Sequence, residues 1–332
     1  MRKPGAAPQG RELDQMAGAL KVRNELGNSL ISRFQRYIDL GCAVPGALPQ
    51  AFAFRAFGAG RRVPTAVRPT LLIVLLLLGG YSSVSTTAYS PYLSSKQTLR
   101  VMTYNIHVGV GMDKQLNLQR IADVINGEHP DLVGLQEVDR GVKRTEGKDE
   151  IAELAKLTSM NYAFAHNLDY QGGQYGVAIL SRFLIQKIDH RKYENLREAE
   201  RRGMLRIEID LNGRIINFVT THLDYQYDDG RVFETQQMLK FLDSVKGPLI
   251  VVGDFNDEPA VGAYKLMLTR FRDAWTSTKT KADGLSYPAD KPAKRIDYIF
   301  THQSDRIRAK RAWVVSTLAS DHLPVVSDLE IR

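Results

Sequence analysis

Asp254 and Asn256 stand two residues apart in Gly253-Asp254-Phe255-Asn256, directly behind the apolar run Pro248-Leu249-Ile250-Val251-Val252. A carboxylate fixed where a buried strand breaks into a loop can take a proton from water, and an amide beside it can grip a phosphate oxygen or orient that water. Asp and Asn are also ordinary turn residues after strands, so the pair alone says little. The same arrangement recurs along residues 99–332. Asn105 lies in one apolar run, Glu137 follows a second and His222 ends a third. Asp297 stands near the start of a fourth, and Asp321-His322 precedes the closing one. Recurrent metal-ligating and proton-moving groups at strand ends point to one shared site rather than to separate turns.

The elements that must hold these groups follow from hydrophobic periodicity. Apolar runs predict strands over 99–106, 131–136, 175–180, 184–189, 204–211, 215–221, 249–252, 296–300, 311–315 and 323–331. Apolar residues at helical spacing predict helices over 116–125, 151–157 and 232–245, the last stopped by Gly247-Pro248. Strands outnumber helices, which argues for an α/β chain with two packed sheets and helices outside. No internal repeat is evident.

The stretches Thr103-Tyr104-Asn105-Ile106, Gln136-Glu137-Val138, Gly176-Val177-Ala178-Ile179-Leu180-Ser181-Arg182, Thr221-His222-Leu223, Gly253-Asp254-Phe255-Asn256, Arg295-Ile296-Asp297-Tyr298 and Ser320-Asp321-His322 follow one another in a set order. In that order they resemble the endonuclease/exonuclease/phosphatase superfamily, from about Leu99 to the C-terminus. Each tetrapeptide is nonspecific, but the ordered set is specific. The chain looks most like a bacterial branch of mostly uncharacterised hydrolases, which is itself similar to the phosphatase-like domain of membrane proteins that remodel GPI-anchor lipids. The resemblance implies a DNase I-like four-layer α/β/β/α sandwich, here preceded by a poorly structured N-terminal extension.

Hydrolysis of a phosphate ester needs a divalent cation to polarise phosphoryl oxygens, a base to activate water, and charge to meet the transition state. Asn105 and Glu137 carry the hard oxygen atoms that Mg²⁺ or Mn²⁺ prefers, and the single cysteine, Cys42, falls outside the catalytic part. Mg²⁺ is the expected cofactor. By the resemblance, Asp254 is the base or water-orienting group and Asn256 holds a phosphoryl oxygen. His322 is the imidazole that carries charge, with Asp297 accepting its other N–H, and Asp321 completes the metal shell. His222 contacts the scissile phosphate or protonates the leaving oxygen. Arg144, Tyr175 behind Gly172-Gly173, and His107 lie where substrate approaches in such a fold. An exposed Arg is as often simply solvated, and His107 reads equally well as a loop histidine. Neither a Gly-x-Ser-x-Gly elbow nor a Gly-x-x-x-x-Gly-Lys loop is present, which argues against covalent catalysis.

The 332 residues carry a net charge of +8 and 43% hydrophobic residues, the composition of a globular chain. The charge is uneven: residues 1–70 hold 11 basic and 4 acidic side chains, leaving the rest at +1. A nearly neutral catalytic body weakens a nucleic-acid reading and favours a compact phosphorylated substrate or a lipid headgroup at a membrane surface. A Mg²⁺-dependent DNA endonuclease or exonuclease is the alternative, and a catalytically silent binding module of the same fold is a third reading. A monomer is expected. Residues 11–40 fit an amphipathic helix, or equally an untranslated stretch read from too early a start. Residues 71–78 are eight consecutive aliphatics, the length of a secretory h-region and too short to span a membrane. Thr86-Thr87-Ala88 offers small residues for cleavage, while Tyr81 stands where a lipoprotein signal requires Cys. The expected plan is therefore a basic extension over 1–70, a signal-like segment and linker over 71–96, and the catalytic domain over 97–332. Export is expected, to the periplasm, the medium or a membrane surface.

Overall fold

A computed structural model describes residues 96–332 apart from residue 261. The segment 11–40, the aliphatic run 71–78 and the proposed divisions before residue 96 lie outside the described residues. Among the described residues no helix is long and apolar enough to cross a membrane.

Two six-stranded mixed sheets form the body. The first has the order β11 (Ile307–Val314), β12 (Val325–Ile331), β1 (Gln97–Asn105), β2 (Leu132–Arg140), β4 (Gly173–Ser181), β3 (Asn161–Tyr170). The second runs β5 (Ile185–Lys192), β6 (Gly203–Leu211), β7 (Arg214–His222), β8 (Leu249–Asp254), β10 (Asp297–His302), β9 (Phe271–Asp273). Each sheet holds one parallel pair near its centre, β1 with β2 and β7 with β8, and all other pairings are antiparallel. A parallel pair needs a crossover. α1 (Leu118–Glu128) supplies it in the first sheet and α3 (Asp228–Leu242) in the second.

Alternation along the central strands sets the layers. Leu99 and Val101 of β1 share a buried cluster with Ile207, Phe218, Ile250 and Val252 of the opposite sheet. Met102 and Tyr104, pointing the other way, pack with Ile121 and Ile125 of α1 and with Ile151 and Leu154 of α2 (Glu150–Thr158). Val219 and Val251 likewise meet Met238 and Leu242 of α3 and Met267 of α4 (Gly262–Leu268). Strands buried on both faces read as continuous apolar runs. Three cores separate four layers, the α/β/β/α sandwich that the family resemblance implies.

The helices begin where side chains satisfy their free N–H groups. Asn117 accepts from Arg120 N at 3.2 Å ahead of α1, and Asp149 accepts from Ala152 N at 3.2 Å ahead of α2. Three elements lie outside the sequence expectation: the edge strand β3, whose exposed and buried residues mix, and the short β9 and α4. The strand expected over 131–136 also continues to Arg140 through a register shift, so Glu137 sits inside β2 rather than beyond its end.

Candidate active site

The parallel pairs place their C-terminal ends together. Asn105 lies beside Gln136 across β1 and β2, and His222 beside Asp254 across β7 and β8. Just below them the sheets approach closely: a Cβ on Gly134 would fall 2.4 Å from Val252 Cγ2, and Gln136 Nε2 donates across the gap to Thr220 Oγ1 at 2.9 Å. The β2 irregularity between Leu135 and Val138 is a bulge, and Glu137 within it adopts φ +55°. Bulges re-aim side chains, and here the left-handed residue turns a carboxylate into the cavity. In β8, a Cβ on Gly253 would lie 2.2 Å from the Thr221 carbonyl oxygen, so glycine lets the two strands close up immediately before Asp254.

Asp254 is the hub of the centre. Asn105 Nδ2 donates to Asp254 Oδ2 at 3.0 Å and to Glu137 Oε1 at 3.0 Å, tying the two sheets together. The Asn105 oxygen accepts from His107 N at 3.0 Å, so this amide bridges two carboxylates and keeps its oxygen turned to the backbone. His222 Nε2 lies 3.5 Å and His322 Nε2 3.6 Å from Asp254 Oδ2. His322 Nδ1 is 2.9 Å from Asp297 Oδ2, and Asp297 pairs with Asp254 across β10 and β8. Ser286 Oγ donates to the same Asp297 oxygen at 2.6 Å. Asn256, at φ +49°, donates through its backbone N to Asp254 Oδ1 at 2.9 Å and through Nδ2 to the Leu223 carbonyl at 3.1 Å.

Burial and charge set two different imidazoles. His222 is held well below the usual histidine range by burial, then by the Arg202 guanidinium and by His322. Arg202 Nη1 donates to His222 Nδ1 at 2.7 Å, which puts the hydrogen of the neutral ring on Nε2, 3.1 Å from the Asn256 side-chain amide. For His322, burial alone would lower the pKa, but Asp297 and Asp254 outweigh it and push it up to about 10. Asp254 is itself raised to about 7 by burial and then by Asp297. One carboxylate thus lies between a neutral imidazole and an imidazolium.

These groups open into a cavity of about 850 Å³ that Glu137, His107, Asp321, Arg144 and Tyr175 also line. Asp297 and Asn105 stand behind its wall, buried. His107 Nδ1 lies 3.1 Å from the Val110 carbonyl and 3.8 Å from Asp321 Oδ1. Arg144 makes a bidentate pair with Asp139 at 2.7 and 2.9 Å and packs against the rings of Tyr170 and Tyr175.

Two sets of groups present ligand atoms to a cation. Asp254, Asp297 and His322 bring theirs within 4.8 Å of one another. In that cluster His322 Nδ1 and Asp297 Oδ2 already face each other at 2.9 Å. Glu137 and Asp321 present oxygen atoms at the cavity wall, and Glu137 makes no ion pair among the described residues. An oxygen donor set without sulfur fits a hard divalent ion.

Sequence reasoning missed Arg202, Glu200, Ser286 and Tyr287. Arg202 is 3% exposed and pairs with Glu200 at 3.1 Å. Its one sequence signal is its place immediately before β6, whose first residue, Gly203, pairs with His222. The Tyr287 ring packs 4.7 Å from that of His322 at 44°.

Comparison with known proteins accords with this geometry. The model of the Endonuclease/Exonuclease/phosphatase family matches residues 102–322. The uncharacterized protein YbhP of Escherichia coli strain K12 is 24% identical over 255 residues, covering 73% of this chain and all of YbhP. A functionally unknown conserved protein from Enterococcus faecalis superposes with a TM-score of 0.61 at 18% identity, over 70% of this chain and 100% of that one. A mannosyl-6-phosphatase from Bacteroides thetaiotaomicron superposes with a TM-score of 0.60 at 19% identity, over 70% of this chain and 99% of that one. The family match spans every strand end that builds the centre, and the chain belongs to the endonuclease/exonuclease/phosphatase family of phosphate-ester hydrolases.

Proposed function

We propose that the protein hydrolyses a phosphate ester with a metal-activated centre and a water molecule as nucleophile. The observation that carries this reading is the position of Asp254, with one oxygen within 3.6 Å of the Nε2 atoms of both His222 and His322. Asp254 takes a proton from water as the water oxygen bonds to phosphorus, and the ester P–O bond breaks. The departing alkoxide takes the Nε2 proton of His322, the protonated imidazole of the centre. The proton on Asp254 then passes to His322 Nε2, 3.6 Å away, and the centre is reset. His222 Nε2–H and the Asn256 amide hold phosphoryl oxygens, while Asp297 and Ser286 keep the His322 ring oriented. Glu137 and Asp321, steadied by Asn105, would hold Mg²⁺ or Mn²⁺, which supplies polarisation of the phosphoryl oxygens when bound.

The test uses the purified full chain with p-nitrophenyl phosphate and bis-p-nitrophenyl phosphate. Turnover that needs added Mg²⁺ or Mn²⁺ and stops with EDTA is expected; turnover of neither ester with either metal would overturn the reading. We also propose action outside the cytoplasm, supported by the aliphatic run at 71–78 and the small residues at 86–88. Cell fractionation of the tagged protein checks it, and a wholly cytoplasmic product contradicts it.

A further inference from the structure

The segment 286–294, just ahead of β10, is laid along the loop that carries Asp321 and His322. Leu323 N donates to the Ser286 carbonyl at 2.7 Å, and Ala289 N donates to the Asp321 carbonyl at 2.8 Å. Between these two bonds the Tyr287 ring packs against that of His322, with centroids 4.7 Å apart at 44°. The Tyr287 backbone is fixed as well, since its N donates to the Lys294 carbonyl at 3.1 Å and its own carbonyl accepts from Lys294 N at 2.8 Å. A ring anchored on both counts presents its hydroxyl in one place.

That place is the reacting centre. Tyr287 lines the cavity, and its hydroxyl makes no hydrogen bond to another described residue. Burial raises the hydroxyl pKa, and the carboxylates of Asp321, Asp254 and Glu137 raise it further. These are the carboxylates that the proposed reaction gathers round the phosphate. A phenol kept neutral among them offers an O–H donor to an anion held there.

The other cationic donors of the wall are engaged or stand off. Arg144 is bidentate with Asp139, Arg202 engages His222 and Glu200, and Arg231 pairs with Asp228. Lys294 makes no ion pair among the described residues, with Glu137, Asp254 and Asp321 included, so its ammonium is not drawn into the centre. In the proposed reaction His222 and Asn256 reach the phosphoryl group from the ends of β7 and β8, while the His322 Nε2 proton goes to the leaving oxygen. The transition state spreads its charge over three equatorial oxygens. On the His322 side, Tyr287 is the donor left to meet that charge.

We propose that Tyr287 is a catalytic residue whose hydroxyl donates a hydrogen bond to a non-bridging phosphoryl oxygen as charge builds there. The proton stays on the phenol throughout. The proposal rests on the hydrolase reading above and adds a donor to it.

The experiment compares the full wild-type chain with Tyr287→Phe and Lys294→Met on p-nitrophenyl phosphate and bis-p-nitrophenyl phosphate at graded Mg²⁺. Tyr287→Phe keeps the ring and removes only the hydroxyl, so the melting temperature and the Mg²⁺ concentration at half-maximal rate should hold. Its kcat should fall by about 10–100-fold, the loss of one hydrogen bond to a charged oxygen, with KM little changed. Orthovanadate, which takes the five-coordinate geometry of the transition state, should inhibit Tyr287→Phe more weakly than wild type by a similar factor, and inorganic phosphate should not show that loss. A side chain that merely supports the loop would weaken both anions alike. An unchanged kcat overturns the proposal, as does vanadate and phosphate binding weakened equally with a lowered melting temperature. A fall confined to Lys294→Met gives the role to the ammonium, and a rate restored by excess Mg²⁺ makes the hydroxyl a metal ligand; either overturns it. If the wild type hydrolyses the esters and Tyr287→Phe matches it, only the assignment of Tyr287 falls; if the wild type hydrolyses neither, the hydrolase reading falls with it.

Discussion

The two sheets build their ends of the centre with one backbone device and fill it with different chemistry. Each has a parallel pair joined through a crossover helix, β1 and β2 through α1, β7 and β8 through α3. In each half a buried helix glutamate braces backbone near the strand end: Glu150 Oε2 accepts from Asp139 N at 2.7 Å, and Glu234 Oε2 accepts from Asp224 N at 2.8 Å. The first half then offers oxygen through Glu137, which makes no ion pair among the described residues, while the second offers a buried carboxylate and a neutral imidazole. The difference teaches a division of labour. In the proposed reaction the first sheet would present Glu137 and Asp321 to a cation and also supplies His322 from the connection between β11 and β12, the second supplies the proton acceptor Asp254, and Asn105 bridges Glu137 and Asp254.

Separating the halves by mutation gives the largest expected effect. Asp254→Asn removes the proton acceptor while keeping its shape, and kcat should fall by about 10²–10⁴-fold with no recovery at high metal. Steady-state kinetics at graded Mg²⁺ check this. Glu137→Gln should instead raise the Mg²⁺ concentration needed for half-maximal rate by about 10–100-fold and recover most of kcat at saturation. Equal responses to metal in the two variants would erase the division.

A finer break lies at Arg202. This guanidinium is one of the groups holding the His222 pKa down, and it occupies His222 Nδ1. In Arg202→Met the His222 pKa should move upward, and its ring hydrogen should no longer be confined to Nε2. Both are read from imidazole NMR shifts against pH, and an unmoved titration contradicts the assignment.

The bracing glutamates are read in stability rather than in rate and compare the halves directly. Glu150 is raised from 4.5 to about 8, chiefly by burial, and Glu234 from 4.5 to about 7 for the same reason. Between the unfolded and folded values the native state keeps a proton that the unfolded chain has released, so stability falls as pH rises through that window. The slope is about 1.4 kcal/mol per pH unit per group. Relative to Glu150→Gln, the wild type should lose stability from about pH 5 up to about pH 8; relative to Glu234→Gln the loss should end about one unit earlier. Chemical denaturation across this pH range measures both, and flat differences would show that neither glutamate is protonated in the native state.

How much could be read from the chain depends on what each element buries. β8 was legible because both its faces are buried, which leaves Leu249 to Val252 as an unbroken aliphatic run ahead of Asp254. The helices showed for a related reason, their one buried stripe recurring at helical spacing. The edge strand β3 mixes exposed and buried positions, and α4 has only seven residues, so neither carried a clear period. Glu137 was legible as a residue but not as a bulge, because the register shift depends on pairing with β4. The link between Asp297 and His322, 25 residues apart, came from the family resemblance, since no periodicity joins the start of a strand to a distant loop. Arg202 was hidden for an electrostatic reason: beside Arg201 it reads as solvated charge, yet it is buried against His222 and Glu200.

The most direct test of the divided centre is calorimetric titration of Mn²⁺ into the wild-type protein, Glu137→Gln and Asp297→Asn, without substrate. Tight binding that is lost in Glu137→Gln and retained in Asp297→Asn is the predicted result. Binding retained in Glu137→Gln and lost in Asp297→Asn would place the cation in the buried Asp254, Asp297 and His322 cluster, and would contradict the account.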